Sequence, residues 1–468
     1  MKKSYISLAT LTGVAFLGLV SCNDKKEDKK DTTTTSIVES TTDSTITSHF
    51  PTDTTTSTDA GTASLKVIDF DGEVVFDGEV QAGDTLYNVI TSTQGIETVS
   101  SESQYGHFVQ SINGTIMDDP NLSLIIYEND EPTMDGVDGL IVDDGDVFEI
   151  KNEFWKTESF GWGGHYDDVE ALVDKTIYTY VKSVFKEATQ NTTSFKGSTY
   201  WEYLLSNLAI ENGYDVSLFN VREANDDLLE EVNNYDYSKI GYKDDNTLDD
   251  SQFFKYYYTA LGIGGFDVEI DSTDDKIADF KAALKTYADA NITNEYAYNQ
   301  YSSPFILSIL NKLDINKDTL KAIATGTDKL DIERSEWGNY TDQLVWQILT
   351  FDAIQGDECK FDDTVLNSLN VRADEFNCTS LAASVAAFAA FGENPRDEKY
   401  EIEGEDIIEN IMTNFYDETS GLLKVYKNDE TIPNFSTNQI YAYLFAYKVA
   451  RDHQNQSTGA FAKLNLFA

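Results

Sequence analysis

At about Asp167 the spacing of apolar residues changes period, and nothing else in the chain constrains its fold as much. Upstream, from Ser64, short runs alternate apolar with polar side chains and are parted by Asp-Gly or Asn-Gly pairs, the pattern of strands joined by tight turns. Downstream, apolar residues recur at three- and four-residue spacing almost to the C-terminus, with Gly, Asn and Asp in the gaps. A chain that switches once, without alternating back, is expected to build a β-rich unit and then a helical one.

In the upstream part, "SLKVIDFDGEVVF" (Ser64–Phe76) predicts two strands around a type I′-compatible Asp71-Gly72 turn. "GDTLYNVITS" (Gly83–Ser92) predicts a short helix with Leu86, Val89 and Ile90 on its apolar side. "QYGHFVQSINGTIMDDPNLSLIIYENDEP" (Gln104–Pro132) reads as a hairpin turning at Asn113-Gly114. "GLIVDDGDVFEIKNEFW" (Gly139–Trp155) gives two more strands around Asp144-Gly145. The helical reading opens at Asp168–Ala188. It continues through Trp201–Glu211, Leu218–Val232, Gln252–Gly262, Lys276–Ala290, Ser303–Leu313 and Thr319–Ala324. Asp342–Ile354, Asp363–Val371, Thr379–Phe391, Gly404–Phe415 and Thr437–Asp452 complete it. These make about six antiparallel helical hairpins.

The N-terminus predicts a location. Lys2 and Lys3 precede an apolar run from about Tyr5 to Val20, too short for a comfortable membrane span and ending in small residues, as in a secretory signal. From Asn23 to Gly61 the chain is almost entirely Thr, Ser, Asp and Lys, which cannot bury enough apolar surface to offset ordering; a flexible stalk is expected, with His49 solvated in it. The net charge of −48 argues against nucleic acid and against flat docking on anionic lipid. Acidic runs such as "DDNTLDD" (Asp244–Asp250) read as solvated faces.

Three resemblances sharpen this outline. "LVSC" (Leu19–Cys22) resembles a bacterial lipoprotein box, which implies cleavage before Cys22, a lipid on its thiol and anchorage at the extracytoplasmic face of the cell membrane. An uncleaved signal anchor is the alternative. Cys359 and Cys378 remain. Outside the cytoplasm a disulfide between them is allowed, closing a loop of roughly 20 residues for about 3 kcal/mol, and two buried free thiols are the other reading.

The series "GDTLYNVI", "YGHFVQSING", "YEND" and "VDDGDVFEI" resembles the small β domain of the transcobalamin and intrinsic-factor family, and a bacterial domain of otherwise unknown function with the same series. The match covers about Ser64–Trp155. It implies a domain that closes over one face of cobalamin or another corrinoid, with Tyr105, Gly106, His107 and Phe108 on a loop and strand facing the ligand. Tyr127 and Asn129 would sit on a second strand. Many members carry an aromatic pair where this chain has Ser123 and Leu124.

Third, the run from Leu381 to Tyr447, with its "NP" corner, "GLLKV" excursion and helix opening at "STNQ", resembles the α/α toroid of terpenoid cyclases, protein prenyltransferases and transcobalamin-type proteins. Ala382, Ala383, Ala386, Phe388, Tyr441 and Phe445 then read as barrel packing. The expected class is therefore multidomain α+β. Its parts are a signal and lipidated Cys22 at 1–22, a stalk at 23–61, a transcobalamin-like β domain at 62–156, a linker at 157–167 and an α/α toroid of about six hairpins at 168–468.

Catalysis is not expected. Prenyltransferase relatives hold zinc through an Asp-x-Cys pair and a later His. Here Phe376 stands before Cys378 and the later helix begins "FSTNQ", while "DEC" (Asp357–Cys359) matches by letters alone. "DSTDD" (Asp271–Asp275) departs from the cyclase acid cluster and reads as a loop between helices. "DINKD" (Asp314–Asp318) lacks the Gly and Glu of a calcium loop. Between the domains, "FGWGGHYDD" (Phe160–Asp168) places Trp162 and His165 where they would line a cleft, or where His165 serves as a hydrogen-bonded linker residue. His107 has the same two readings. The functional expectation is capture of a small ligand between the domains for uptake, with a membrane transporter as a candidate partner. The alternative is an adhesion or assembly module for protein or glycan.

Overall fold

The computed structural model describes residues 61–103, 106–115, 119, 121–133, 135–154, 167–185, 273–299, 302–326, 341–356, 377–401, 403–429, 434–455 and 458–468, with single positions between 201 and 212 and at 366 and 369. Helices and sheets are both present, an α+β mix.

The β part is a mixed sheet with a hairpin and a short helix on one face. Its strands are β1 (Thr62–Ile68), β2 (Val74–Gln81), β3 (Thr98–Ser103), β4 (Gly106–Ile112), β5 (Leu122–Glu128), β6 (Glu131–Pro132) and β7 (Val147–Phe154), with α1 at Leu86–Ser92. The sheet order is β2-β1-β7-β5-β6, and β3 pairs with β4 apart from it. β1 and β7 run parallel; the other pairs are antiparallel. Register puts Leu65, Val67, Phe148 and Ile150 on one face, all 1 % exposed or less, and α1 covers them with Leu86, Val89 and Ile90. Lys66, Glu149 and Lys151 point the other way and pair with one another at 3.5 and 2.7 Å.

Three sequence expectations change here. The β1–β2 turn has only Gly72 at positive φ, and Gly72 N–H bonds back to the Asp69 carbonyl, so the connection is not a two-residue type I′ turn. Before β7, Ile141 makes only an isolated bridge with Thr85, so the first strand expected around Asp144-Gly145 does not form. Most consequential, β4 and β5 are not a hairpin. The Asn113-Gly114 turn is present, with both residues at positive φ and Thr115 N–H closing onto the Ile112 carbonyl. Yet β4 pairs with β3 and β5 with β7. Asn113 explains part of this: its side chain bonds the backbones of Glu97, Val75 and Gly95, tying the turn to the β3 side.

The helical part begins with α2 (Asp168–Thr179), N-capped by Asp167 and continued by a π-helical turn to Phe185. The other described helices are α3 (Thr273–Asn291), α4 (Ser303–Lys312), α5 (Lys317–Gly326), α6 (Thr341–Gln355), α7 (Cys378–Phe391), α8 (Ile407–Phe415) and α9 (Asn434–Asp452). The expected segments Leu218–Val232 and Gln252–Gly262 lie outside the described residues. α7 is buried at every position except Phe391, packed against α6 and α9. Ala382, Ala383, Ala386, Phe388, Tyr441 and Phe445 all lie in that core at 2 % exposure or less. The "GLLKV" excursion is a two-residue-strand hairpin, β8 (Tyr416–Asp417) with β9 (Leu422–Leu423). Thr273, Asp274 and Asp275 of the acidic run open α3 rather than forming a loop. "DINKD" is a helical corner with Asp314 and Asn316 at positive φ, and Asn316 bonds Asp289 of α3 at 2.9 Å.

Inside this core, burial pushes the Asp342 carboxyl from its ordinary 3.8 up to about 6. Among the described residues, one carboxylate oxygen, Oδ1, has no hydrogen-bond partner. A raised acid binds its proton more tightly when folded, so stability should fall as pH rises from about 4 to 6 and stay low above, by about 3 kcal/mol. Asp342→Asn should flatten that limb and raise the urea midpoint at pH 7. An unchanged pH profile in the variant would refute the assignment.

Candidate functional site

The two parts touch directly. Phe70 of the β1–β2 turn, Phe154 at the end of β7 and Tyr178 of α2 form an edge-to-face cluster, with centroids 4.5 to 5.9 Å apart. Leu122 and Ala171 complete it. Beside it runs a buried ionic network. Asp119 and Asn121, just before β5, reach Lys448, Asp174 and Asp452 at 3.0 to 3.3 Å. Arg451 binds Glu170, Asp174 and Asp452, and Arg396 clamps Asp167, the N-cap of α2, with two bonds of 2.7 and 2.8 Å. Burial raises the Asp119 carboxyl while Lys448 opposes the shift. A cleft of about 320 Å³ lies along this junction, between Lys151 and Glu153 of β7 and Asp168 and Lys175 of α2.

A second opening, about 290 Å³, lies wholly within the β part, between β4 and β5. Val109, Ile112, Leu124, Ile126 and Ile150 make its apolar floor; His107 and Phe108 stand at its mouth with Thr133 and Asp135. Phe108 is 57 % exposed, a large apolar ring facing solvent. His107 is held rigidly: its ring stacks on Tyr87 of α1 at 3.7 Å, and Nδ1 lies 2.9 Å from Asp138 Oδ1. Asp138 Oδ2 also accepts the His107 backbone N–H at 2.6 Å, and these bonds hold the carboxyl below its ordinary value. Gly106 makes room for that carboxylate. It sits at φ +106°, and a Cβ there would stand 2.4 Å from Asp138 Oδ2.

The residues expected to face one ligand therefore divide. His107 and Phe108 line the groove, with Gly106 as the backbone hinge beside them. Tyr127 points to the opposite face of the sheet, where its hydroxyl donates to Glu153 and the Lys151 ammonium lies 4.3 Å above its ring. Burial, then Glu153, pushes that hydroxyl up. Asn129 is a turn residue at φ +51°, its side chain accepting the Val147 N–H. Tyr105, Trp162, His165, Cys22 and Cys359 lie outside the described residues. Cys378 is a free thiol, fully buried; burial pushes it up, leaving it without thiolate character. Among the described residues, no cluster of His, Cys, Asp or Glu could hold a metal ion, and no helix is long and apolar enough to cross a membrane.

Sequence reasoning overlooked Asp138, whose role depends on contact across 31 positions, and the junction carboxylates Glu170 and Asp174. A signal for the groove was present in "SLIIY" (Ser123–Tyr127), a continuous rather than alternating run, which suits a strand with both faces in use. No family model matches the chain, and no curated protein matches it in sequence.

Proposed function

We propose that this protein is a lipid-anchored surface protein that captures a ligand in the β4–β5 groove. In this reading Cys22 carries the anchor, the Thr/Ser-rich segment is the stalk, the β part is a transcobalamin-type domain and the helical part is an α/α toroid that carries it. The supporting observation is the groove itself, an apolar floor of five residues beneath a rigid His107–Asp138 pair and an exposed Phe108. Such a combination suits binding better than catalysis, because His107 is engaged on both its ring face and its Nδ1. A corrinoid between the two parts is the second reading, supported by the junction cleft, although both openings sit near the lower end of the size range for drug-sized ligands.

Two titrations of the full-length chain test this. A neutral apolar dye such as Nile red should show a saturable fluorescence component that Phe108→Glu weakens about tenfold by setting a charge at the mouth. A dye response identical in both proteins would remove the groove from consideration. Titration with cobalamin that gives neither a visible-spectrum change nor heat would eliminate the corrinoid.

A further inference from the structure

We propose that the occupant of the β4–β5 groove is an extended, cationic peptide segment that adds as a strand to the open edge of β5; this rests on the groove being the binding site. β5 has seven residues, but its outer neighbour β6 has two. Their pairing stops at Thr133, whose N–H donates to the Ile126 carbonyl. N–H and C=O of one residue face the same edge, and the edge alternates along a strand. Ile126 thus sets Leu124 to present both its groups outward, and among the described residues no strand pairs with it there. β4 is open in the same way. The His107 N–H turns away from β3 to Asp138, so Val109, two residues on, presents its N–H and C=O on that side as well. Two strand edges and an apolar floor border one groove.

An unpaired edge next to apolar surface is the arrangement that accepts a peptide strand, with backbone bonds giving affinity and alternate side chains entering the floor. A cavity of about 290 Å³ is room for two or so aliphatic side chains. Charge selects the rest. From Gly61 to Phe154 the chain carries 20 Asp and Glu against Lys66 and Lys151, with no Arg. Asp135 lines the groove, and Glu128 and Glu131 stand at the β5–β6 turn beside it. An anionic strand would be repelled, whereas one alternating Lys or Arg with Val or Ile meets opposite charge on its outer side. Among the described residues Phe108 is the one exposed ring at the groove, fewer than a glycan platform would want.

The test uses fluorescence anisotropy of labelled octapeptides with the full-length chain. A peptide alternating Lys with Val should bind saturably and weaken with salt. Methylating alternate backbone nitrogens keeps charge and side chains but removes strand bonds, and should weaken binding about tenfold, the loss of one or two backbone hydrogen bonds. Glu in place of Lys should abolish binding. Equal affinity for methylated and unmethylated peptides would overturn strand addition, leaving only charge attraction. No peptide binding alongside a Phe108-sensitive dye component would overturn the peptide while the groove stands. Loss of both responses would remove the groove and the peptide together.

Discussion

Arg451→Met should destabilise the fold by about 3–5 kcal/mol, the usual consequence of removing one side of a buried ion pair. Arg451 has a side chain 4 % exposed, and it bonds Glu170 and Asp174, themselves 2 % and 0 % exposed. Around them Asp119 and Asp452 add negative charge, against Lys448, which also pairs with Asp174 at 3.2 Å, and Arg396, which pairs with Glu170 at 3.2 Å. Acids outnumber bases at this junction, so the loss of one cation leaves buried carboxylates only partly compensated, by Arg396 at Glu170 and Lys448 at Asp174. Urea unfolding at pH 7 reads the loss directly. Adding Glu170→Gln and Asp174→Asn to the variant should recover part of the loss. If the single variant loses under 1 kcal/mol, the network is not what holds α2 to α9.

The second large effect is expected at Tyr178. Its ring is 5 % exposed and packs edge-to-face on Phe70 and Phe154, two aromatic groups supplied by the β part. Tyr178→Ala removes that filling from a junction that cannot collapse around it, for about 3–5 kcal/mol by analogy with Phe→Ala in cores. The consequence should be local before it is global. Amides of β7 and β5 near Phe154 and Leu122 should exchange faster, while those of α7, deep in the helical core, keep their protection. Unchanged protection along β7 would mean that the aromatic cluster is incidental and the ionic network alone joins the parts.

Much of the fold is legible in the sequence because it depends on local chemistry. The helix start at Asp168, the break in helix at "GLLKV" and the apolar helix expected at Thr379–Phe391 follow from residues adjacent in the chain, and each appears within a few positions of its expected place. The site is less legible. The sequence reads His107, Phe108 and Tyr127 as one surface; His107 and Phe108 line the groove, whereas strand alternation places Tyr127 on the other face of the sheet. Asp138 carries no local signature, since its task is set by its approach to Gly106 and His107 from a distant loop.

The segment from Gly106 to Pro132 marks the boundary between the two kinds of information. By itself the sequence determined the strands, the Asn113-Gly114 turn and the acidity around them, because backbone preference, side-chain alternation and charge are properties of neighbouring residues. Only the tertiary structure decided which strands pair. A tight turn makes a hairpin available but does not enforce one. Here β3 took β4, β7 took β5, and Asn113 fastened the turn to three other backbone segments. Long-range partners compete for each strand edge on packing and hydrogen bonding across the whole sheet, which no local pattern encodes. Their outcome left Leu124 and Val109, among the described residues, with no strand partner on the groove side of an apolar floor, and so turned an apparent hairpin into a groove.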